Sequence, residues 1–350
     1  FESDAVDQFS DPANNDPYTL IDEGQQLIDA NIGSPNYDIG HTFSTGAGGL
    51  AGVGVVCIGG QKAAGVTGKD DPTGDRYNID YVAHEMGHQF NAPHSFNSNN
   101  CASPGGSYEP GSGTTIMAYA GICSANENIQ PNSDAIFHAI SYDAITNFIT
   151  TGNGANCGVI TPTGNTLPVI TSMGANNLSI PINTPFILTA SATDADGDAI
   201  TYNWEGWDVG PSGSWPSAAT STTRPLFRTR LSKTTGSRTF PDIRVIAANY
   251  PGTAAPSAMD GLRGEVLPQV ARTMKFRLTV RDNRAGGGGV VSGGEGSQIP
   301  ATFQINATGT APFAVTVPNG GESYFGGSSQ TITWNVVATD QAPINVANVK

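Results

Sequence analysis

Three of the five histidines of the chain lie within eleven residues, at His84, His88 and His94. Residues four apart on a helix share a face, so the imidazoles of His84 and His88 leave from the same side. Zinc takes neutral imidazole nitrogens in a tetrahedral arrangement, and three protein ligands leave a fourth position for water. Glu85 lies beside these ligands, where its carboxylate can accept a proton from that water. The residue types and their spacing therefore predict a metal site with Glu85 as general base.

The third histidine must come from beyond the end of the helix. Asn91 tolerates the left-handed conformation that ends a helix, and Pro93 cannot continue one, so the chain can turn sharply before His94. A lone His-Glu-x-x-His pattern is a weak signal, because ordinary histidines on an amphipathic helix give the same pattern. The third histidine at this spacing disfavours that alternative.

The segments that must position these residues mix two periodicities. Helical spacing occurs over 20–31, 78–90 and 133–149, and residues 37–44 alternate like a strand. All five histidines and all four cysteines lie within residues 1–157. This pattern predicts an α+β catalytic domain over 1–157.

The second half of the chain has a different character. Residues 158–166 are linker-like, and strand signals over 187–190, 200–204, 276–280 and 301–305 then dominate. They predict an all-β sandwich over 167–309, and the alternating run 330–337 predicts that 310–350 starts a further Ig-like β domain. A chain of 350 residues is long enough for such a multidomain layout.

Charge and cysteine usage restrict the partners and the compartment. The net charge of −14 argues against nucleic acid and anionic membranes as partners, and no apolar stretch is long enough for a transmembrane segment. Cys57, Cys101, Cys123 and Cys157 contain no C-x-x-C pair. Two disulfides in an oxidising compartment are therefore predicted, with four free thiols in a cytosolic protein as the alternative. Secretion is expected.

Residues 115–119 (TIMAY) supply a second signal. Together with HEMGHQFNAPH over 84–94, they resemble a metzincin metallopeptidase, whose three-histidine motif precedes a Met-turn. The stretches YDIGHTFSTG over 37–46 and GGLAGVGVVC over 48–57 are similar to the reprolysin or adamalysin branch, especially its bacterial members. The resemblance covers roughly residues 20–157. It implies a secreted zinc-dependent endopeptidase that acts on protein or peptide substrates.

The resemblance also implies roles for residues outside the histidine motif. Met117 would lie beneath the metal, and Tyr119 would ligate the metal or stabilise an oxyanion, with a packed core tyrosine as the alternative. Leu50, Ala51 and Gly52 would belong to an edge strand that binds the substrate backbone, with a plain Gly-rich loop as the alternative. Residues 119–123 would form one wall of the specificity pocket.

Disulfide pairing and completeness follow from the same resemblance. It implies a Cys57–Cys157 bridge, which leaves Cys101 with Cys123. Asn91 stands where the family has glycine, and asparagine is the next most tolerant residue of positive φ. The family has two strands and a long helix ahead of the region that matches residue 20. We therefore expect a catalytic domain that is incomplete at its N-terminal side.

The acidic segment ATDADGDAITYNWE over 192–205 invites a calcium interpretation. An EF-hand is excluded, because Ala199 occupies the position where the sharp turn requires glycine. The segment instead resembles PKD-type or cadherin-like Ig-fold modules. This implies Ca²⁺ at Asp194, Asp196 and Asp198, with solvated turn acids as the alternative.

A different class of function remains open at this stage. The β modules favour docking on a cell surface or matrix, so the rival is a surface-adhesion or matrix-binding protein that carries an inactive peptidase-like domain. We expect residues 167–309 to contribute no side chain to the metal site and to have few contacts with the first domain. Arg224, Arg228 and Arg230 are the candidates for packing against it.

Overall fold

The computed structural model describes residues 8–10, 15–46, 48–99, 101, 108–248, 261–284, 289–292, 302–309 and 311–346. The helices are α1 (Pro17–Asn31), α2 (Gly74–Tyr77), α3 (His84–Gln89), α4 (Ala139–Thr150) and α5 (Ile243–Ala247). The strands of the first half are β1 (Thr42–Ser44), β2 (Gly49–Ala51), β3 (Gly65–Gly68), β4 (Phe96–Asn97) and β5 (Glu109–Pro110). Those that follow are β6 (Val169–Ser172), β7 (Leu178–Pro181), β8 (Phe186–Thr189), β9 (Ser191–Thr193), β10 (Thr201–Gly206), β11 (Ser237–Phe240), β12 (Arg272–Arg281), β13 (Val290–Ser292), β14 (Phe303–Thr308), β15 (Ala314–Val317) and β16 (Thr333–Asn335). Within these ranges, no helix has the length and apolar character needed to cross a lipid bilayer.

A small sheet and α1 form the base of the first part. The sheet has the order β1-β3-β2, with β1 parallel and β2 antiparallel to β3. Leu20 of α1 packs on Val66 of β3. The carboxylate of Asp16 caps α1 by accepting hydrogen bonds from two backbone amides, so the helix begins before the predicted residue 20. The strand predicted over 37–44 is shorter than expected, because only its last three residues pair.

The helix that carries the histidine motif begins four residues before the predicted range. A π-helical turn over Asn78–Ala83 joins α2 to α3, so helical backbone is continuous from Gly74 to Gln89. This segment contacts both β2 and β3. The motif therefore lies on a long helix that is packed against the small sheet.

The helix predicted over 133–149 begins later, at α4. The preceding residues run over the Met-turn, where the amide of Asp134 donates to the carbonyl of Thr114 (2.7 Å) and the amide of Ile116 donates to the carbonyl of Ile136 (3.0 Å). His138 then caps α4 by accepting a hydrogen bond from the amide of residue 140. Asp134 and Ile136 thus form backbone hydrogen bonds with residues 114–116, and the helix begins only after His138.

Strands predominate after residue 166. A five-stranded sheet has the order β10-β12-β14-β7, with β13 also paired to β12, and two smaller sheets pair β8 with β11 and β6 with β9. Strands predicted over 187–190, 200–204, 276–280 and 301–305 overlap β8, β10, β12 and β14. The shared core includes the buried side chains Trp204, Phe240, Phe276, Leu278 and Phe303. The all-β prediction is wrong in one respect, because this segment also contains α5 and a 3₁₀ turn over Trp215–Thr220.

The two parts of the chain share more contacts than expected. Ile129, from the first part, is 0% exposed and belongs to the apolar core of the second. The hydroxyl of Thr114 lies 2.9 Å from the carbonyl oxygen of Thr229. The amide of Ala139, at the start of α4, donates to the Glu205 carboxylate at 3.1 Å. The expectation of few contacts across the boundary is therefore wrong.

Arginines reach across the same boundary. Arg277 of β12 forms a bidentate ion pair with Asp143 of α4. Arg228 bonds to the side chain of Gln130, and Arg224 bonds to a side-chain oxygen of residue 97 at 3.4 Å. Arg230, the third arginine of the predicted cluster, instead pairs with a glutamate of the second part.

The segment 311–346 stands apart from the rest. Among the described strands, its strands β15 and β16 pair only with each other. Most of its side chains are exposed, including Phe325 and Trp334. No hydrogen bond or ion pair joins the described residues of this segment to the described residues before it.

Candidate metal centre

The three predicted ligands converge on one point. The Nε2 atoms of His84 and His88 lie 3.2 Å and 3.1 Å from Nε2 of His94. Two nitrogens that bind one tetrahedral zinc ion at 2.0–2.1 Å are about 3.3 Å apart, so the observed spacing fits a shared ion. Three ring nitrogens that face each other without protons repel, and a cation between them removes this repulsion. The donor set therefore suits zinc.

Backbone carbonyls set the tautomers of two ligands. Nδ1 of His84 lies 2.7 Å from the carbonyl oxygen of Ile116, and Nδ1 of His88 lies 2.8 Å from that of Ala92. A carbonyl oxygen can only accept, so each Nδ1 carries the proton and each Nε2 presents a lone pair to the centre.

Burial favours the neutral form of the three imidazoles, which is the form that binds a metal ion. Burial, together with the charges of His88 and His94, lowers the pKa of His84 to about 3. Burial followed by the charge of His88 lowers the pKa of His94 to about 4, and burial also lowers the pKa of His88. All three rings are therefore neutral at pH 7, as zinc binding requires.

The turn before His94 has the predicted conformation. Asn91 adopts φ +73°, its amide donates to the carbonyl of His88 (2.8 Å), and the amide of Ala92 donates to that of Gly87 (2.9 Å). These bonds end the helix in a left-handed cap. Asparagine thus performs the task that the family assigns to glycine.

The Met-turn packs directly against the motif helix. Met117 is fully buried. A Cβ atom built on Gly87 would lie 2.4 Å from the Met117 sulfur, so any larger residue at this position would displace the Met117 side chain. The carbonyl of Ile116, in the same turn, accepts the hydrogen bond from Nδ1 of His84, so the turn helps to orient this ring.

The side chain of Glu85 is buried beside the three histidines. Its side chain is 7% exposed, and it makes no hydrogen bond with any described residue. Burial raises the pKa of Glu85 to about 8, and a nearby metal dication would lower it again. A Cβ atom on Gly49 would lie 2.1 Å from Glu85 Oε1, so strand β2 passes directly over the carboxylate.

The predicted substrate strand lies at a sheet edge. Leu50 and Ala51 belong to β2, which pairs only with β3 among the described strands. Gly52 follows the strand, and its amide donates to the carbonyl of Ala64 at 2.9 Å. The other edge of β2 is therefore able to pair with an extended peptide.

Tyr119 lies against the third ligand. The centroid of its ring is 4.6 Å from that of His94 and 4.8 Å from that of Phe96. Burial, followed by the charge of Glu85, raises the pKa of Tyr119, so its phenol stays protonated and can donate a hydrogen bond. The ring of Tyr119 packs on its aromatic neighbours and also lines a cavity beside Glu85. These contacts fit a role in the site as well as a packing role.

A cavity of about 140 Å³ adjoins Glu85 and Tyr119. Residues 119–123, the predicted wall, contribute Tyr119, Ala120 and Ile122 to its lining. Arg76 and Asp80 also line it and were not predicted. The sequence did contain a signal for them. Arg76, Asp80 and His84 are four residues apart, so all three lie on one side of the helical segment.

Two disulfides stabilise the loops around the site. Cys57 bonds to Cys157 and Cys101 bonds to Cys123, which is the pairing that the resemblance implies. The described cysteines include no free thiol.

The acidic loop does not assemble as predicted. Carboxylate oxygens of Asp194 and Asp198 lie within 4.8 Å of one another and of Asp282. Asp196 instead accepts hydrogen bonds from Thr166 and lies 3.9 Å from Arg284. The predicted set of Asp194, Asp196 and Asp198 is therefore wrong at Asp196, whose carboxylate turns to a neighbouring segment. Nothing among the comparisons below supports calcium.

Comparison with known proteins gives one match. Residues 4–147 match the family model described as metallo-peptidase family M12B, reprolysin-like. Searches of the curated proteins and of the solved structures found no match. The match spans the histidine motif and the Met-turn, and the M12B family is zinc-dependent. Residues 4–147 of this chain are therefore similar to a reprolysin-like metallopeptidase domain.

Proposed function

We propose that the chain is a secreted zinc-dependent endopeptidase in which His84, His88 and His94 hold the metal and Glu85 is the general base. The observation that carries this proposal is the convergence of three unprotonated ring nitrogens beside a buried carboxylate. The unpaired edge of β2 above that carboxylate supports a peptide as the substrate.

The substrate binds as an added strand. An extended peptide pairs its backbone with β2 through Leu50, Ala51 and Gly52, which places the scissile bond beside Glu85. Because Gly49 has no side chain, the peptide backbone can approach the carboxylate closely. A side chain of the peptide then enters the cavity that Ile122 helps to line.

Hydrolysis requires a proton to move from water to the leaving amine. When bound, a zinc ion supplies Lewis acidity, which lowers the pKa of water and polarises the substrate carbonyl. Glu85 accepts the proton from the attacking water and delivers it to the amine nitrogen as the C–N bond breaks. The phenol of Tyr119 donates a hydrogen bond to the negative charge that develops on the carbonyl oxygen.

Secretion and the division into domains belong to the same proposal. Two disulfides favour an oxidising, extracellular location, and the resemblance of residues 37–57 favours a bacterial source. We assign residues 1–157 to the peptidase, 158–166 to a linker, 167–309 to a β-sandwich that docks on a surface or matrix, and 310–350 to a further β domain. All residues that line the cavity beside Glu85 come from the first of these ranges.

The Glu85→Gln variant tests the mechanism. The amide keeps the shape of the side chain and removes its basicity, so the variant should bind zinc like the unaltered protein and lose at least about 10²-fold in turnover of an unfolded protein substrate. Near-native turnover would show that Glu85 is not the base. If the unaltered protein shows no chelator-sensitive cleavage at all, the rival function of adhesion by an inactive peptidase-like chain is favoured.

A further inference from the structure

A buried carboxylate lies beneath the metal site without being part of its predicted motif. Glu109 of β5 is 0% exposed. Its Oε1 accepts a hydrogen bond from the amide of Thr114 (3.0 Å), and its Oε2 accepts from the hydroxyls of Ser95 and Thr115, both at 2.6 Å. The hydroxyl of Thr114 lies 3.1 Å from Oε1 as well and shares its single proton with another acceptor.

These donors belong to the two segments that build the metal site. Ser95 directly follows His94. Thr114 and Thr115 lead into Ile116, whose carbonyl accepts the proton of His84, and then into the Met-turn. One carboxylate therefore joins the segment that carries the third ligand to the turn that supports the first.

His94 is the ligand that depends most on this connection. The other two ligands are oriented by carbonyl groups at Nδ1, whereas His94 makes no hydrogen bond through Nδ1 to any described residue. Its position follows from its backbone and from ring packing against Tyr119. That backbone is held by the amide of Ser95, which donates to the carbonyl of Met117 (3.1 Å), and by the Ser95 hydroxyl on Glu109.

We propose that Glu109 is a positioning residue that holds His94 and the Met-turn at the separation needed for metal binding. This proposal rests on the metal site of the proposed function but not on peptide cleavage. Removal of the carboxylate would free the Ser95 and Thr115 hydroxyls to rotate, and His94 would lose its fixed direction. Loss of an outer partner of this kind weakens metal binding by about 10–100-fold.

Glu127 provides a matched control. It is also almost fully buried in the first part of the chain, and it accepts hydrogen bonds from the Ser98 hydroxyl and from the amide of Asn99. The two described residues that donate to its carboxylate, Ser98 and Asn99, are neither metal ligands nor Met-turn residues. Glu127→Gln therefore reports what the loss of a buried carboxylate does to folding alone.

The experiment measures zinc affinity by competition with a chromophoric chelator, and the visible absorption bands of the Co²⁺-loaded full chain. Glu109→Gln and the milder Ser95→Ala are compared with Glu127→Gln at a temperature where circular dichroism shows that the tested proteins are folded. We expect Glu109→Gln to weaken zinc binding about 10–100-fold and to shift the cobalt bands. Ser95→Ala should change both in the same direction by less, and Glu127→Gln should leave both unchanged even if it lowers the melting temperature.

Unchanged zinc affinity and cobalt bands in Glu109→Gln would overturn the proposal, and so would an equal loss in Glu127→Gln. If Glu109→Gln does not fold, Ser95→Ala decides on the same two readouts. Since neither readout involves cleavage, a protein that binds zinc but hydrolyses nothing would refute the proposed function and leave the role of Glu109 to be judged separately.

Discussion

Truncation of the chain after Gly164 removes the whole second part and leaves the three predicted zinc ligands in place. If residues 1–164 were an independent domain, this change would have no effect on their folding. The contacts across the boundary lead to the opposite expectation. Ile129 loses the core in which it is buried, and Thr114, next to the Met-turn, loses its contact with Thr229.

The size of the effect follows from those contacts. Exposure of Ile129 costs about 1.5–3 kcal/mol. Among the hydrogen bonds that are also lost are those from Thr114, from the amide of Ala139 and from the hydroxyl of Tyr142, and each of these three contributes about 0.5–1.5 kcal/mol. Loss of these contacts alone costs the fragment about 3–7.5 kcal/mol, which is a large share of the about 5–15 kcal/mol that stabilises an ordinary domain.

The assay compares three proteins: residues 1–164, residues 1–309 and the full chain. Thermal unfolding is followed by circular dichroism, and cleavage of a small peptide is measured with zinc in excess. The 1–164 fragment should unfold at least about 6 °C lower than the full chain and lose most of its peptidase activity. The 1–309 fragment is the control, because the described residues of 311–346 share no hydrogen bond with the rest. It should unfold and cleave like the full chain.

One result would refute this reasoning. If residues 1–164 unfold at the temperature of the 1–309 fragment and cleave the small peptide with unchanged kcat/KM, the contacts across the boundary contribute nothing. The second part would then be a separable module, as the linker-like sequence of 158–166 indicates.

Two further substitutions test the surroundings of the site. Tyr119→Phe should lower kcat by about 10²–10³-fold with little change in KM if the phenol stabilises the oxyanion, whereas full activity would show that Tyr119 only packs. Replacement of both Cys57 and Cys157 by alanine opens a loop with a sequence separation of 100 residues. It should reduce the free energy of unfolding in urea by about 4–5 kcal/mol in the chain-entropy model, and an unchanged urea midpoint would contradict that model here.

The convergence of the three histidines could be predicted because its geometry is local. The period of a helix fixes the relation of His84 to His88, and the conformational tolerance of Asn91 allows the turn that brings in His94. Each step needs only neighbouring residues. Glu109 lies fifteen residues beyond His94 and has no motif of its own, so its role depends on the pairing of β4 with β5, which the sequence does not reveal.

The predicted start of the helix over 133–149 is wrong because its first apolar residues lie in a loop and not in a helix. Ile136 and Phe137 fit the stripe of a helix over 133–149, and this periodicity predicts the wrong start. In the structure, the carbonyl of Ile136 accepts a bond from the Met-turn, and Phe137 packs on the cluster that contains Met117. Periodicity records that a side chain is buried but not which backbone conformation buries it.

The grouping of carboxylates in the acidic loop could not be predicted from the local sequence either. Asp194, Asp196 and Asp198 alternate in sequence, and alternate residues of extended chain point the same way. The loop is a turn, however, so Asp196 faces Thr166 while Asp282, from the end of β12, joins the other two. A group of carboxylates that spans separate segments can be recognised only from the tertiary fold.

The contacts between the two parts also change how a docking role for residues 167–309 must be tested. A deletion would remove the proposed docking surface together with the support of Ile129 and Thr114, so loss of activity on a matrix substrate would have two causes. The small-peptide assay separates them, because docking raises local concentration only for a substrate that carries the docking partner. Exposed residues of the second part that are remote from the boundary should therefore be substituted in the intact chain. Lower activity on the matrix substrate with unchanged cleavage of the small peptide would then support docking, and equal activity on both would exclude it for the residues tested.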